Sequence, residues 1–154
     1  RYNPDSGDWR RYKLFDPCKK YTRNLIADDE KFTLMLLCWN PAKYSPVHDH
    51  PCDGCWMKCI EGCVEEVRYK TDVSDGPLEE TSRTVARAGD VVYIDDAIAL
   101  HKVGNPGPEG AVTLHLYSPP FSTCRVWLDE SLGGEVLEPV VTYYSEHGVR
   151  VEYD

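Results

Sequence analysis

The 154-residue chain has no apolar run long enough to span a bilayer, which excludes the usual membrane helix of ~20 residues. No signal-type apolar stretch follows its first residues either. Basic residues are in the minority, 17 Lys and Arg against 26 Asp and Glu, for a formal net charge of -9. They form no local cluster, so the surface that neutralises a phosphate backbone is missing. Low-complexity linkers, composition breaks and internal repeats are also missing, and the length suits one core rather than two. The expectation is a single domain over residues 1–154, a monomer with neither nucleic acid nor membrane as partner. Because the sequence opens on Arg1 instead of Met, its natural N-terminus is expected to lie upstream.

A second CxxC is absent too. Cys52 and Cys55 form one such pair, and Cys18, Cys38, Cys59, Cys63 and Cys124 complete the set of seven. Without a partner CxxC after a suitable loop, a four-thiolate zinc cluster is rejected. An odd count cannot pair fully within the chain, and a domain of this size does not need disulfides to hold its core. The expectation is a cytoplasmic protein with free thiols. Cys18, Cys38, Cys59, Cys63 and Cys124 read as small buried hydrophobes, while Cys52 stays unassigned.

What the chain does contain is a succession of short β-type runs: Phe32–Trp39, Trp56–Ile60, Val64–Tyr69, Val91–Ile94, Ala99–Val103, Ala111–Tyr117, Arg125–Leu128 and Val136–Tyr143. Turn chemistry separates them, at Asn40-Pro41, Ser74-Asp75-Gly76-Pro77, Gly89-Asp90, 104–110 and Gly133-Gly134. One short helix is expected within residues 1–20. In Thr113-Leu114-His115-Leu116-Tyr117 the polar residues share one face and the leucines the other, since strand side chains alternate. Two readings stand at this point. Either the leucines face a core and the polar side chains face water, or Thr113, His115 and Tyr117 line a polar cavity inside a small barrel.

His48 and His50 are two residues apart, which on a strand aims both imidazoles at one side, where a single cation takes both. Four residues separate His50 from Cys55, and six more precede Gly62. A second block holds Gly89, Asp95-Asp96-Ala97, His101 and Asn105. The spacing resembles the two-part signature of the cupin barrels, with Cys55 where glutamate is usual, Asp95-Asp96-Ala97 in place of the PxG turn, and the histidine one residue late. Losing the glutamate matters. Two histidines and a carboxylate make the facial triad of many Fe(II) oxygenases. Three neutral histidines, His48, His50 and His101, leave a divalent charge uncompensated and favour anionic ligands such as a thiolate. A zinc hydrolase site stays open on ligand type alone.

Four segments, YTRNL (21–25), HDH (48–50) with Cys55, DAIALH (96–101) and LHLYSPPF (114–121), resemble the cysteine dioxygenases, thiol dioxygenases of the cupin superfamily. The likeness runs from about Tyr21 to Arg150. It implies an all-β fold, a cupin-type small β-barrel (jelly-roll-like) with minor N-terminal helical content. It implies oxidation of L-cysteine by O2 to cysteine sulfinic acid at Fe(II) held by His48, His50 and His101. It further implies a Cys55–Tyr117 thioether beside the metal as a protein-derived cofactor, and so turns Thr113, His115 and Tyr117 inward. Arg23 and Tyr21 would then bind the substrate carboxylate, a task for which a guanidinium fork is well shaped. His115 would hold the Tyr117 phenol, with Thr113 standing where the family commonly has serine. Glutamine near the Arg23 position marks mercaptopropionate enzymes, so arginine points to cysteine. The alternatives are another small thiol, 3-mercaptopropionate or cysteamine, or a non-catalytic metal-binding cupin.

Overall fold

The structure, a computed structural model, describes residues 2–72, 76–131 and 136–152. The expected turn residues Ser74, Asp75, Gly133 and Gly134 lie outside them. Two 3-10 helices, Pro4–Ser6 and Asp8–Tyr12, open the chain in place of the single short helix expected there. The Asn3 side chain caps the first by accepting from the Asp5 N–H, and proline suits its first turn. The strands follow as β1 (Tyr21–Asp28), β2 (Thr33–Trp39), β3 (Val47–His48), β4 (Gly54–Glu61), β5 (Cys63–Tyr69), β6 (Glu80–Arg87) and β7 (Val91–Ile94). Then come β8 (Leu100–Gly104), β9 (Ala111–Ser118), β10 (Val126–Trp127), β11 (Val136–Leu137), β12 (Ser145–Glu146) and β13 (Val149–Arg150).

Hydrogen bonding arranges these strands in two sheets, ordered β13-β12-β1-β2-β9-β4-β7 and β11-β10-β3-β8-β5-β6. The pairs are antiparallel except β1 with β12. The all-β expectation holds, although the bonding does not run round a single closed barrel. The chain passes from one sheet to the other at Gly62, between β4 and β5, where φ is 75°. That left-handed backbone is strained for any residue with a Cβ, which gives the glycine of the sequence spacing a physical reason.

The apolar run of β2 is buried on both faces, as in a strand covered from two sides. Met35, Leu37 and Trp39 point between the sheets, where they meet Cys59 of β4, Val64 of β5, Ala86 of β6 and Val103 of β8. Leu36 and Cys38 point the other way, beneath Trp9 and Tyr12 of the second 3-10 helix. Leu36 is fully buried, so Leu36→Ala is expected to cost about 2–5 kcal/mol by leaving a cavity under that helix. Denaturant titration checks this, and a loss below about 1 kcal/mol would show that the helix collapses into the gap.

Some expectations change. β1, β6, β12 and β13 are strands that the sequence did not announce, and Ala99–Val103 shifts to Leu100–Gly104. The run Val136–Tyr143 keeps only Val136–Leu137 and an isolated bridge from Val140 to Thr123. Pro139 brings no N–H to a ladder there, and Val136, Leu137 and Val140 are exposed. None of the seven cysteines is in a disulfide. Cys38, Cys59 and Cys124 are buried as expected, but Cys18 is exposed and Cys63 only half-buried. Cys18 sits in a turn whose N–H groups bond back to Asp16, with no apolar face to join. Among the described residues no helix is long and apolar enough to cross a membrane.

Candidate metal centre and thiol pocket

His48 ends β3 directly opposite His101 of β8. His50 lies just past the strand rather than on it, yet its ring still joins the other two. The possible ligand atoms of the three histidines all lie within 4.8 Å of one another. Ring centroids are 4.5–4.9 Å apart.

Hydrogen bonds decide which nitrogens face inward. His48 Nδ1 donates to the Pro46 carbonyl at 3.0 Å, and His101 Nδ1 donates to the Glu66 carboxylate at 2.8 Å. Each ring therefore turns an unprotonated Nε2 toward the centre, and these two nitrogens are 3.2 Å apart. Two lone pairs at that distance repel unless a cation lies between them. Among the described residues, neither ring nitrogen of the buried His50 has a hydrogen-bond partner, a costly state in a protein interior. All three features fit a metal ion of the kind imidazole binds. Burial keeps the rings neutral, the form that ligates. It holds His48 down to about 4, and it sets His50 and His101 well below the ordinary imidazole range, with the neighbouring histidines adding to the shift.

Several residues the sequence did not single out brace these rings. Burial raises the Glu66 carboxyl, and Arg68, which donates to it at 3.0 Å, works against that rise. Arg68 is anchored in turn on the Tyr93 carbonyl. Such carboxylate–histidine pairs fix ring orientation and ligand basicity. The signal for Glu66 was present: it alternates with Val64 on the inward face of β5, where an acidic side chain needs a partner. The backbone N–H of His50 donates to Asp96 Oδ1 at 2.6 Å. Asp49, between the two histidines, accepts from the backbone N–H and Nε of Arg125.

The seven-stranded sheet supplies the opposite wall. Thr113, His115 and Tyr117 of β9 all point inward and are buried, which selects the second of the two readings left open by their alternation. Thr113 Oγ1 is 2.8 Å from His115 Nε2, and His115 Nδ1 is 3.3 Å from the Tyr117 hydroxyl. Cys55 of β4 stands directly across from Tyr117, and the two side chains are hydrogen-bonding neighbours. Burial pushes both groups up, away from ionisation. Cys52 sits in the loop before β4 with its thiol toward the Gly54 carbonyl.

Arg23 of β1 reaches the same cavity, whose lining includes Met35, His48, Tyr117, Phe121 and Cys124. Its guanidinium donates to the Tyr21 hydroxyl at 3.0 Å. Among the described residues no carboxylate pairs with it. Apart from His50, which lies on no strand, the site residues divide between the sheets. His48, His101 and Glu66 belong to the six-stranded sheet, whereas Tyr21, Arg23, Cys55, Thr113, His115 and Tyr117 belong to the seven-stranded one.

Solved structures share this architecture at low sequence identity, so their likeness speaks for the fold alone. A protein of Thermus thermophilus superposes with TM-score 0.60 at 19% identity, over 73% of this chain and 94% of that one. A Klebsiella pneumoniae protein with a double-stranded β-helix domain gives 0.56 at 16%, over 77% and 89%. A cupin-superfamily sugar phosphate isomerase from Silicibacter pomeroyi gives 0.55 at 15%, over 72% and 66%. The fold is therefore of the cupin, double-stranded β-helix type. Sequence relatives are nearer. Cysteine dioxygenase type 1 of Homo sapiens is 37% identical over 152 residues, 97% of this chain and 74% of the relative. The Bos taurus protein of the same name is 34% identical, over 99% and 76%. The family model for cysteine dioxygenase type I matches residues 1–130, and the chain belongs to that family.

Proposed function

We propose that this protein oxidises L-cysteine with O2 to cysteine sulfinic acid at an Fe(II) ion held by His48, His50 and His101. The observation that carries the reading is the convergence of two lone-pair nitrogens and a partnerless imidazole, in a chain of this family. Bound there, Fe(II) would supply the redox chemistry and a charge that attracts small anionic ligands.

The side chains do the rest. Arg23 offers parallel N–H donors to the substrate carboxylate, and Tyr21, which accepts from it, holds the fork in place. Met35 and Phe121 present apolar walls to the cavity, and excluding water strengthens that ion pair. His115 fixes the Tyr117 phenol beside the reacting atoms, and Thr113 fixes His115. The placement of Cys55 opposite Tyr117 supports a thioether between them. In that bond a sulfur–ring-carbon link replaces one S–H and one ring C–H, and the hydrogens leave with their electrons to O2.

The test is oxygen uptake by the iron-loaded protein, expected to depend on cysteine and to yield the sulfinate. Stoichiometric zinc together with no oxygen consumption after iron loading would overturn the reading. A separate prediction concerns the crosslink. A thioether and a Cys52–Cys55 disulfide each remove a pair of hydrogens, so mass must be measured after reduction. The reduced native chain is expected to stay lighter by that pair, and Cys55→Ser is expected to have its full mass. Because the metal ligands remain, Cys55→Ser should keep activity within roughly tenfold of native. A persistent deficit in Cys55→Ser would make Cys52 the partner.

A further inference from the structure

The buried hydrogen-bond chain through Thr113, His115 and Tyr117 of β9 begins one residue further back, at Trp39 of β2. Trp39 Nε1 is 2.8 Å from Thr113 Oγ1, and both residues are essentially inaccessible to water. An indole nitrogen is only ever a donor, so the first direction in the chain is fixed: Thr113 accepts from Trp39. Among the described residues, Thr113 Oγ1 has only Trp39 Nε1 and His115 Nε2 as hydrogen-bond partners. Its own hydrogen can therefore go only to His115 Nε2.

The rest follows by elimination. Burial, with His48 and the Arg23 guanidinium nearby, holds His115 neutral, down to about 3. A neutral imidazole carries one hydrogen. With Nε2 accepting from Thr113, that hydrogen is on Nδ1, which faces the Tyr117 oxygen. We infer that Trp39 is a positioning residue which, through Thr113, holds His115 in the Nδ1–H tautomer, so that His115 donates to the Tyr117 oxygen rather than taking its proton. The phenolic hydrogen is then left pointing away from His115.

Two physical effects give Trp39 this control. Donation into Oγ1 polarises the hydroxyl and makes it a better donor and a poorer acceptor. It also pins the rotamer of a β-branched side chain that has few rotamers to choose from. The reversed chain, with His115 donating from Nε2, would leave the Thr113 hydroxyl hydrogen buried without an acceptor, a state costing about 1–3 kcal/mol. The inference takes Tyr117 as the phenol of the thiol-oxidising site, but its spectroscopic test stands whether or not cysteine is the substrate.

The experiment is long-range 1H–15N spectroscopy of the full chain, labelled with 15N histidine and loaded with Zn(II) as a diamagnetic probe. A His115→Asn sample assigns the signal. The native protein is expected to show His115 as the Nδ1–H tautomer. Trp39→Phe should give a mixture of tautomers, with iron content unchanged and kcat lowered by about 10-fold to 100-fold. Thr113→Ser should keep the native tautomer and Thr113→Val should lose it, which tests the Thr113 link on its own and keeps the inference falsifiable even if Trp39→Phe does not fold. An Nε2–H tautomer in the native protein overturns the inference. So does a pure Nδ1–H tautomer that survives in folded Trp39→Phe, or one that survives in Thr113→Val.

Discussion

Arg23→Ala is expected to lower kcat/KM for cysteine by about 10²–10³-fold, the equivalent of about 3–4 kcal/mol for losing a charge-assisted, bidentate contact in a partly dry cavity. Iron content is expected to be unchanged, because Arg23 lies on the seven-stranded sheet and makes no contact that orients His48, His50 or His101. The effect should fall mainly on KM, since the carboxylate contact is present before and after the chemical step. Comparison with cysteamine sharpens the result. That thiol has no carboxylate, so Arg23→Ala should spare it and the preference for cysteine should collapse. Equal losses on both thiols would mean that Arg23 shapes the cavity without reading the carboxylate, and lost iron would make its role structural.

The second large effect lies one layer behind the metal. Glu66→Ala is expected to weaken iron binding by about 10–100-fold, the usual cost of removing the partner of a ligating histidine. The buried His101 Nδ1–H would lose its acceptor, and Arg68 would lose the carboxylate it neutralises. Competition against a chelator measures the change. Glu66→Gln keeps an acceptor oxygen and should cost less. The adjacent Glu65 provides the control: it pairs with Arg83 and Tyr44, so Glu65→Ala should leave iron affinity near native. If both variants lost iron equally, the cause would be damage to β5 and not to the His101 hydrogen bond.

The difference between these adjacent glutamates shows where sequence reading succeeds and where it stops. Spacing marked out His48, His50 and His101, because a metal demands particular residue types and the fold repeats their intervals. Apolar runs such as β2 were legible because burial on both faces leaves a continuous hydrophobic signature. β1 was not. Its buried residues include Thr22 and Asn24, and its cavity face carries Tyr21 and Arg23, so it lacks an apolar rhythm. β6 is an edge strand, exposed along nearly its whole length. Its ladder to β5 holds it in place, and backbone pairing writes nothing into the side chains. Glu66, Arg68 and Trp39 act through partners 25 to 74 residues away. Only strand register brings such pairs together.

The separation of the site between two sheets also bears on how such a protein can change over generations. With the proposed roles, substitutions on the seven-stranded sheet are expected to alter which thiol is accepted and how it is held, while the metal stays bound. Substitutions on the six-stranded sheet alter whether metal is held at all. A lineage can therefore explore new substrates by varying β1 and β9 without first surviving an inactive, metal-free ancestor.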